Sequence, residues 1–112
     1  MIKHINFTAK DKVNALAGAA SLKEFSAKTI HVVGAALDNA TDVETGEVKT
    51  VAYLVADNNG ERRIISTISG TACESVSAII DYMTEENLPA VDISVNARKS
   101  NGGREFLTLT VV

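Results

Sequence analysis

The order of apolar patterns along the chain predicts a mainly β fold. The specific expectation is a five-stranded Greek-key barrel of the OB type, with one helix between strands 3 and 4 and a short helical N-terminal extension. Three observations carry it. Three strand-like runs lie between residues 30 and 68. One segment of helical period follows at 71–83. Two further strand-like runs, joined by a Gly-rich basic turn, occupy 90–112. Three strands, one helix and two strands in that order are the layout of such a barrel.

The elements follow in order. Residues 1–28 are set apart as an extension, and 29–112 as the barrel domain. Ile2 to Phe7 is a short alternating piece, and Lys10 to Ala20 is Ala-rich, with Val13, Leu16 and Ala17 at helical spacing. Thr8 is the expected cap, with Asp11 three residues on. A second helical turn starts at Ser21, and Leu16, Leu22 and Phe25 are expected to pack on the barrel. IHVVGAAL (30–37) is the first barrel strand, with Gly34 marking a bulge or bend. The acidic segment 38–47 reads as a solvated loop. Residues 48–57 and 62–68 are the next two strands, and Asp57-Asn58-Asn59-Gly60 is their hairpin turn because Asn and Gly accept positive φ at low cost.

Within 71–83, Ala72, Val76, Ile79, Ile80 and Met83 share one helical face, and Thr71 and Glu74 stand in capping-box order. Residues 90–97 then alternate, with Val91, Ile93 and Val95 inward. The last strand, 105–112, turns Leu107, Leu109 and Val111 inward and Phe106, Thr108 and Thr110 outward.

Composition narrows the function classes. A chain of 112 residues is one domain by size and long enough to bury a core. Its one cysteine, Cys73, leaves no partner for an intrachain disulfide and reads as a small apolar core residue. No apolar stretch approaches the roughly 18 residues that span a membrane, and the polar start MIKHINFTAK does not read as a signal segment. The expectation is a cytoplasmic protein with no membrane partner. A net charge of −3 weighs against a strong duplex binder but leaves room for a local basic groove.

Catalytic signatures are missing: no G-x-S-x-G, P-loop or H-E-x-x-H, and no cysteine pair spaced for zinc. No catalytic residue, metal ligand or cofactor is assigned. His31 reads as a surface or core imidazole, and the acids of 38–47 do not match a calcium loop. What remains is a binding surface. Five of the eleven Lys and Arg residues fall in two clusters: Arg62 and Arg63, and Arg98, Lys99 and Arg104. Phosphate contact is one use for them, and solubility or protection of a sheet edge the other. Phe106, outward beside the basic turn, either stacks on a base or covers the barrel end. Lys49 and Tyr53 share a strand face. Tyr53 either stacks on a base while Lys49 meets a phosphate, or belongs to the core with its hydroxyl at the rim.

The residues Ser21-Leu22-Lys23, Val33 to Leu37, Gly60, Thr67-Ile68-Ser69, Arg98 to Gly102 and Phe106 to Leu109 together resemble the small single-stranded DNA-binding proteins of phages and related mobile elements. The resemblance implies an OB-type barrel that coats single-stranded DNA in replication or recombination without reading its sequence. It also implies that the 98–99 hairpin, Tyr53 and Phe106 line the groove. The chain departs from that pattern in its 4% aromatic content and in having no acidic stretch at 105–112; cooperative or oligomeric binding would offset a modest protomer. The competing expectation is a phage structural or protein-interaction module that forms a homo-oligomer.

Overall fold

The computed structural model describes residues 2–112; residue 1 of the expected extension lies outside the described residues. The chain is mainly β, with one curled sheet and two α-helices. In chain order the elements are β1 (Lys3–Ile5), α1 (Ala9–Gly18), β2 (Ala20–Ser21), a 3-10 turn (Leu22–Phe25), β3 (Thr29–Thr41), β4 (Val48–Asn58), β5 (Glu61–Thr67), α2 (Gly70–Glu85), β6 (Val91–Lys99) and β7 (Glu105–Val111). Among the described residues the sheet therefore holds seven strands, not five. The two additions, β1 and β2, come from the N-terminal segment.

The sheet order is β2-β5-β4-β3-β6-β7, with β1 attached to β3. β3 is thirteen residues long and serves three partners. One edge pairs with β4. The other pairs with β6 over Thr29–Val32 and then with β1 over Ala35–Leu37. The change of partner falls at the bulge between Val32 and Gly34, where Asn6, in positive φ, ends β1. A Cβ on Gly34 would lie 3.0 Å from the Asn6 carbonyl carbon and closer still to its oxygen. The glycine is needed for space, because the two backbones touch there.

Strand β3 also runs further than expected. Thr50, Lys49 and Val48 of β4 hold Asn39, Ala40 and Thr41 in register, so the predicted 38–47 loop shrinks to a turn at 42–47. Cross-strand pairing outweighs the weak β propensity of Asp and Asn there. The β4–β5 turn has Asn59 and Gly60 at φ 55° and 88°, the conformation its sequence predicts.

The main core lies between the inner face of the sheet and α2. The predicted α2 face is buried, together with Cys73, against Leu54, Ile65, Ile93, Leu107 and Leu109. The expected Thr71–Glu74 capping box does not form. The helix starts earlier, at Gly70, with Ser69 as its cap and no side-chain cap bond. The Cys73 N–H instead donates to the Ser69 carbonyl.

A second, smaller core lies on the outer face. It joins Phe7 and Ala15 to Ala36, Val51, Tyr53, Val55 and Ile64. Hence Val51 to Ala56 of β4 are all buried, covered on both sides. The docking face of α1 is not the one its large residues suggest. Val13 and Leu16 are 65% and 72% exposed, while Asp11 and Ala15 turn inward. The expected packing of Leu16 on the barrel is thus corrected, whereas Leu22 is buried and Phe25 packs at the core's margin. The capping box between Thr8 and Asp11 fixes the first turn, and small Ala15 lets the helix backbone approach the sheet.

Substituting Gly34 with Ala is expected to lower stability by about 1–3 kcal/mol, because neither backbone can retreat without breaking a strand pair. The urea unfolding midpoint measures this; an unchanged midpoint would show that the β1–β3 approach is not tight.

Candidate nucleic-acid interface

Alternation along β6 and β7 places Leu107, Leu109, Val91, Ile93 and Val95 inward. The outer face is left to Ser94, Asn96, Arg98, Phe106, Thr108 and Thr110. Register sets Arg98 directly opposite Phe106 and Lys99 opposite Glu105. Directly opposed side chains lie about 5 Å apart at Cβ, so a cation and a half-buried ring share one patch. The turn beyond them is closed by the Ser100 N–H donating to the Arg104 carbonyl and the Gly103 N–H to the Ser100 carbonyl. Gly103, at φ 79°, makes that turn possible. Arg98, Lys99 and Arg104 are exposed and have no ion-pair partner among the described residues.

The remaining predicted residues are not gathered there. Tyr53 is 6% exposed. The Phe7 ring stacks on it at 5.6 Å between centroids, with an interplanar angle of 20°, and the Lys12 ammonium lies 5.1 Å over its ring. The α1 segment occupies the position a base would take, so Tyr53 is a core residue here. Arg62 is held by Asp11, donating to its two carboxylate oxygens at 3.2 and 3.3 Å. Alternation turns Arg63 to the other side, where its guanidinium lies 5.6 Å from the Phe25 ring centre. Lys49, exposed at the start of β4, stands opposite Ala40.

Two openings connect these parts. β5 and β7 would be neighbours in a closed barrel, but no pairing between them exists in the sheet. β2 lies against β5 instead, in parallel, with Ser21 beside Ser66. The gap toward β7 is a cleft of about 470 Å³ whose walls include Phe106, Leu107, Ser66, Ile68, Ser69 and Lys23. Ile68 also lines a shallower cavity of about 540 Å³ that reaches Thr50 and Lys49. A third hollow, about 820 Å³, runs between α1 and β5 past Arg62 and Arg63.

Sequence reasoning drew on Lys23 and Ile68 only for the resemblance and did not place them beside the β5–β7 cleft. Ile68 is 65% exposed at the end of β5, and its apolar character gave the opposite signal. It also missed the anchors of α1. Lys12 donates to Asp38 as an ion pair. That hydrogen bond is the main reason the Asp38 carboxyl sits below the usual carboxylate range and Lys12 above the usual amine range, with partial burial opposing both. Cys73 contacts the Thr50 and Thr67 carbonyls through Sγ at 3.8 Å, and burial pushes its thiol pKa up, away from nucleophile chemistry. His31 pairs with Asp92 on the surface. No helix among the described residues is long and apolar enough to cross a membrane.

A profile of the family described as phage single-stranded DNA-binding protein matches residues 8–112. The chain belongs to that family. It is 36% identical over 100 residues to the single-stranded DNA-binding protein of Bacillus phage B103, covering 86% of this chain and 79% of the relative. No solved structure matches it. The matched span includes α1, the strap over Tyr53, as well as the Arg98–Phe106 patch.

The ion pair makes the α1 contact pH-dependent. The Asp38 pKa is lower in the folded than in the unfolded chain, so its contribution is complete above the unfolded value and vanishes as pH falls through the folded one. The Ala15 methyl NMR signal is expected to hold its docked position at neutral pH and to shift only once the pH falls below the ordinary carboxylate range. Asp38→Asn is expected to loosen α1 at pH 7 and to remove that acid transition. A transition that survives the substitution would place the sensor elsewhere.

Proposed function

We propose that this chain binds single-stranded DNA without reading its sequence and without catalysis, in phage or mobile-element replication or recombination within the host cytoplasm. The reading adopts for residues 29–112 an OB-type barrel built from β3, β4, β5, β6 and β7, with α2 between its third and fourth strands. Residues 1–28 are an extension that straps its outer face. The observation that carries it is the Arg98–Phe106 patch beside the open cleft, in a chain of this family. Its relative in phage B103 carries the same description.

Physical chemistry favours that surface over the others. Non-specific binding of a single strand draws on cations for phosphates and on rings for base faces. Arg98, Lys99 and Arg104 are exposed and unpaired among the described residues, so neutralising phosphates breaks no ion pair within the protein. Arg62 would have to leave Asp11, and Tyr53 would have to shed Phe7, before either met DNA. Lys49 is reachable along the cavity past Ile68. The binding set therefore ranks the 98–106 hairpin and Lys49 ahead of Arg63, which rests on the Phe25 ring, and of Arg62 and Tyr53, which contribute after α1 lifts. A low count of rings per protomer fits binding as a homo-oligomer along the strand.

Replacing Arg98, Lys99 and Arg104 together with Ala is expected to weaken oligo-dT binding. It should also flatten the slope of log K against log salt by about two, since each phosphate contact on a single strand contributes about 0.7. Gel shifts with oligo-dT at several salt concentrations measure both, and circular dichroism checks the fold. Wild-type affinity and slope in the triple variant would remove the hairpin from the interface.

A further inference from the structure

We propose that the cleft between β5 and β7 is a nucleobase pocket, with Phe106 and Ile68 bounding an unpaired base and Lys23 meeting its phosphate. This rests on the single-stranded DNA reading and assigns it a place. The cleft volume of about 470 Å³ lies within the range of about 300–1,000 Å³ usual for small-molecule sites. Its lining combines two things a base needs. Phe106 and Ile68 offer apolar surface to the flat faces. Ser66, Ser69 and Ser21 are among the lining residues and bring hydroxyls for polar base edges, with the Ser21 Oγ already accepting from the Lys23 N–H. Serine hydroxyls both donate and accept, so they tolerate any base, as binding without sequence preference requires.

The charge around the slot has the matching sign. Lys23, on the 3-10 turn, is exposed and has no ion-pair partner among the described residues. Arg98, opposite Phe106, stands on the same patch. Glu105 lines the same cleft, opposite Lys99, which offsets it. A strand from a second copy, added to the free edge of β7, is the competing occupant. The slot favours a base over such a strand, because β2 already covers β5 at Ser66 and walls the far side. A guest here enters between two walls instead of extending a sheet into open solvent.

Three measurements test the pocket. First, oligo-dT carrying 5-iodouracil is photocrosslinked to the unaltered protein, and the crosslinked peptide is expected to contain Phe106 or Ile68. Second, Phe106→Ala is expected to weaken oligo-dT binding about tenfold, the loss of one stacked base. Lys23→Ala should cost a few-fold, with a smaller salt slope. Third, the chain has no tryptophan, so Phe106→Trp places a single indole in the slot, and its emission should be quenched by oligo-dT. Crosslinks confined to other peptides, with wild-type affinity in Phe106→Ala and unquenched indole emission in Phe106→Trp, would overturn the pocket while leaving DNA binding standing. Failure of the unaltered protein to shift oligo-dT at low salt would instead bring down the functional reading. Loss of a self-associated species in Phe106→Ala, with unchanged DNA affinity per protomer, would give the cleft to a second copy and overturn the pocket. If Phe106→Ala does not fold, the crosslink on the unaltered chain decides.

Discussion

The approach of Gly34 to the backbone of Asn6 lets one thirteen-residue strand serve three neighbours. Past the bulge, β3 leaves β6 and takes up β1, while its other edge stays with β4 throughout. A side chain at position 34 would separate the two backbones and leave donors and acceptors of β3 exposed to solvent. The bend also curls the sheet around α2, so that Val76, Ile79 and Met83 reach the inward residues of β4, β6 and β7. Lys3 reinforces the same corner by bonding Ser77 and Asp81 on α2 at 2.9 Å.

Covering β4 on both faces has a functional cost and a functional result. The cost is that the outer face, where Tyr53 and Arg62 stand, is closed by the Phe7 ring stack and by two ion pairs from α1. The Lys12–Asp38 pair is partly exposed, and such pairs contribute little individually. The result is that the half-buried Phe106 ring and the exposed cations Arg98, Lys99 and Arg104 stand at the other end of the sheet, around the gap beside β7. The two sides are not isolated, since Ser66 faces Tyr53 across the β4–β5 pair and also lines the cleft.

Much of this was legible in the sequence, for definite reasons. Period-two alternation in 105–112 showed which way Phe106 points, and that in 90–97 showed which face of the strand is buried, because register follows from burial on one side. The helical face of 71–83 and the Asn-Gly turn were equally plain. The rest depended on partners distant in sequence. β1 and β2 are too short to show a period, and they form because β3 and β5 offer edges. Tyr53 was ambiguous because Val51 and Val55 share its face, and nothing local says that Phe7, forty-six positions earlier, lies on top. The α1 face was misjudged because large residues drew attention away from Ala15, whose small size allows close docking. Lys23 and Ile68 gain meaning only when the gap between β5 and β7 is seen.

The sealing of Tyr53 has an optical consequence. The chain carries two tyrosines. One is enclosed beneath Phe7, and the other, Tyr82, sits 41% exposed on α2, outside the residues lining the cleft. Intrinsic emission therefore watches the strap more closely than it watches the groove. A change in the Tyr53 signal when nucleotides load would register the lifting of residues 7–12, turning an ordinary fluorimeter into a gauge of whether that cover moves.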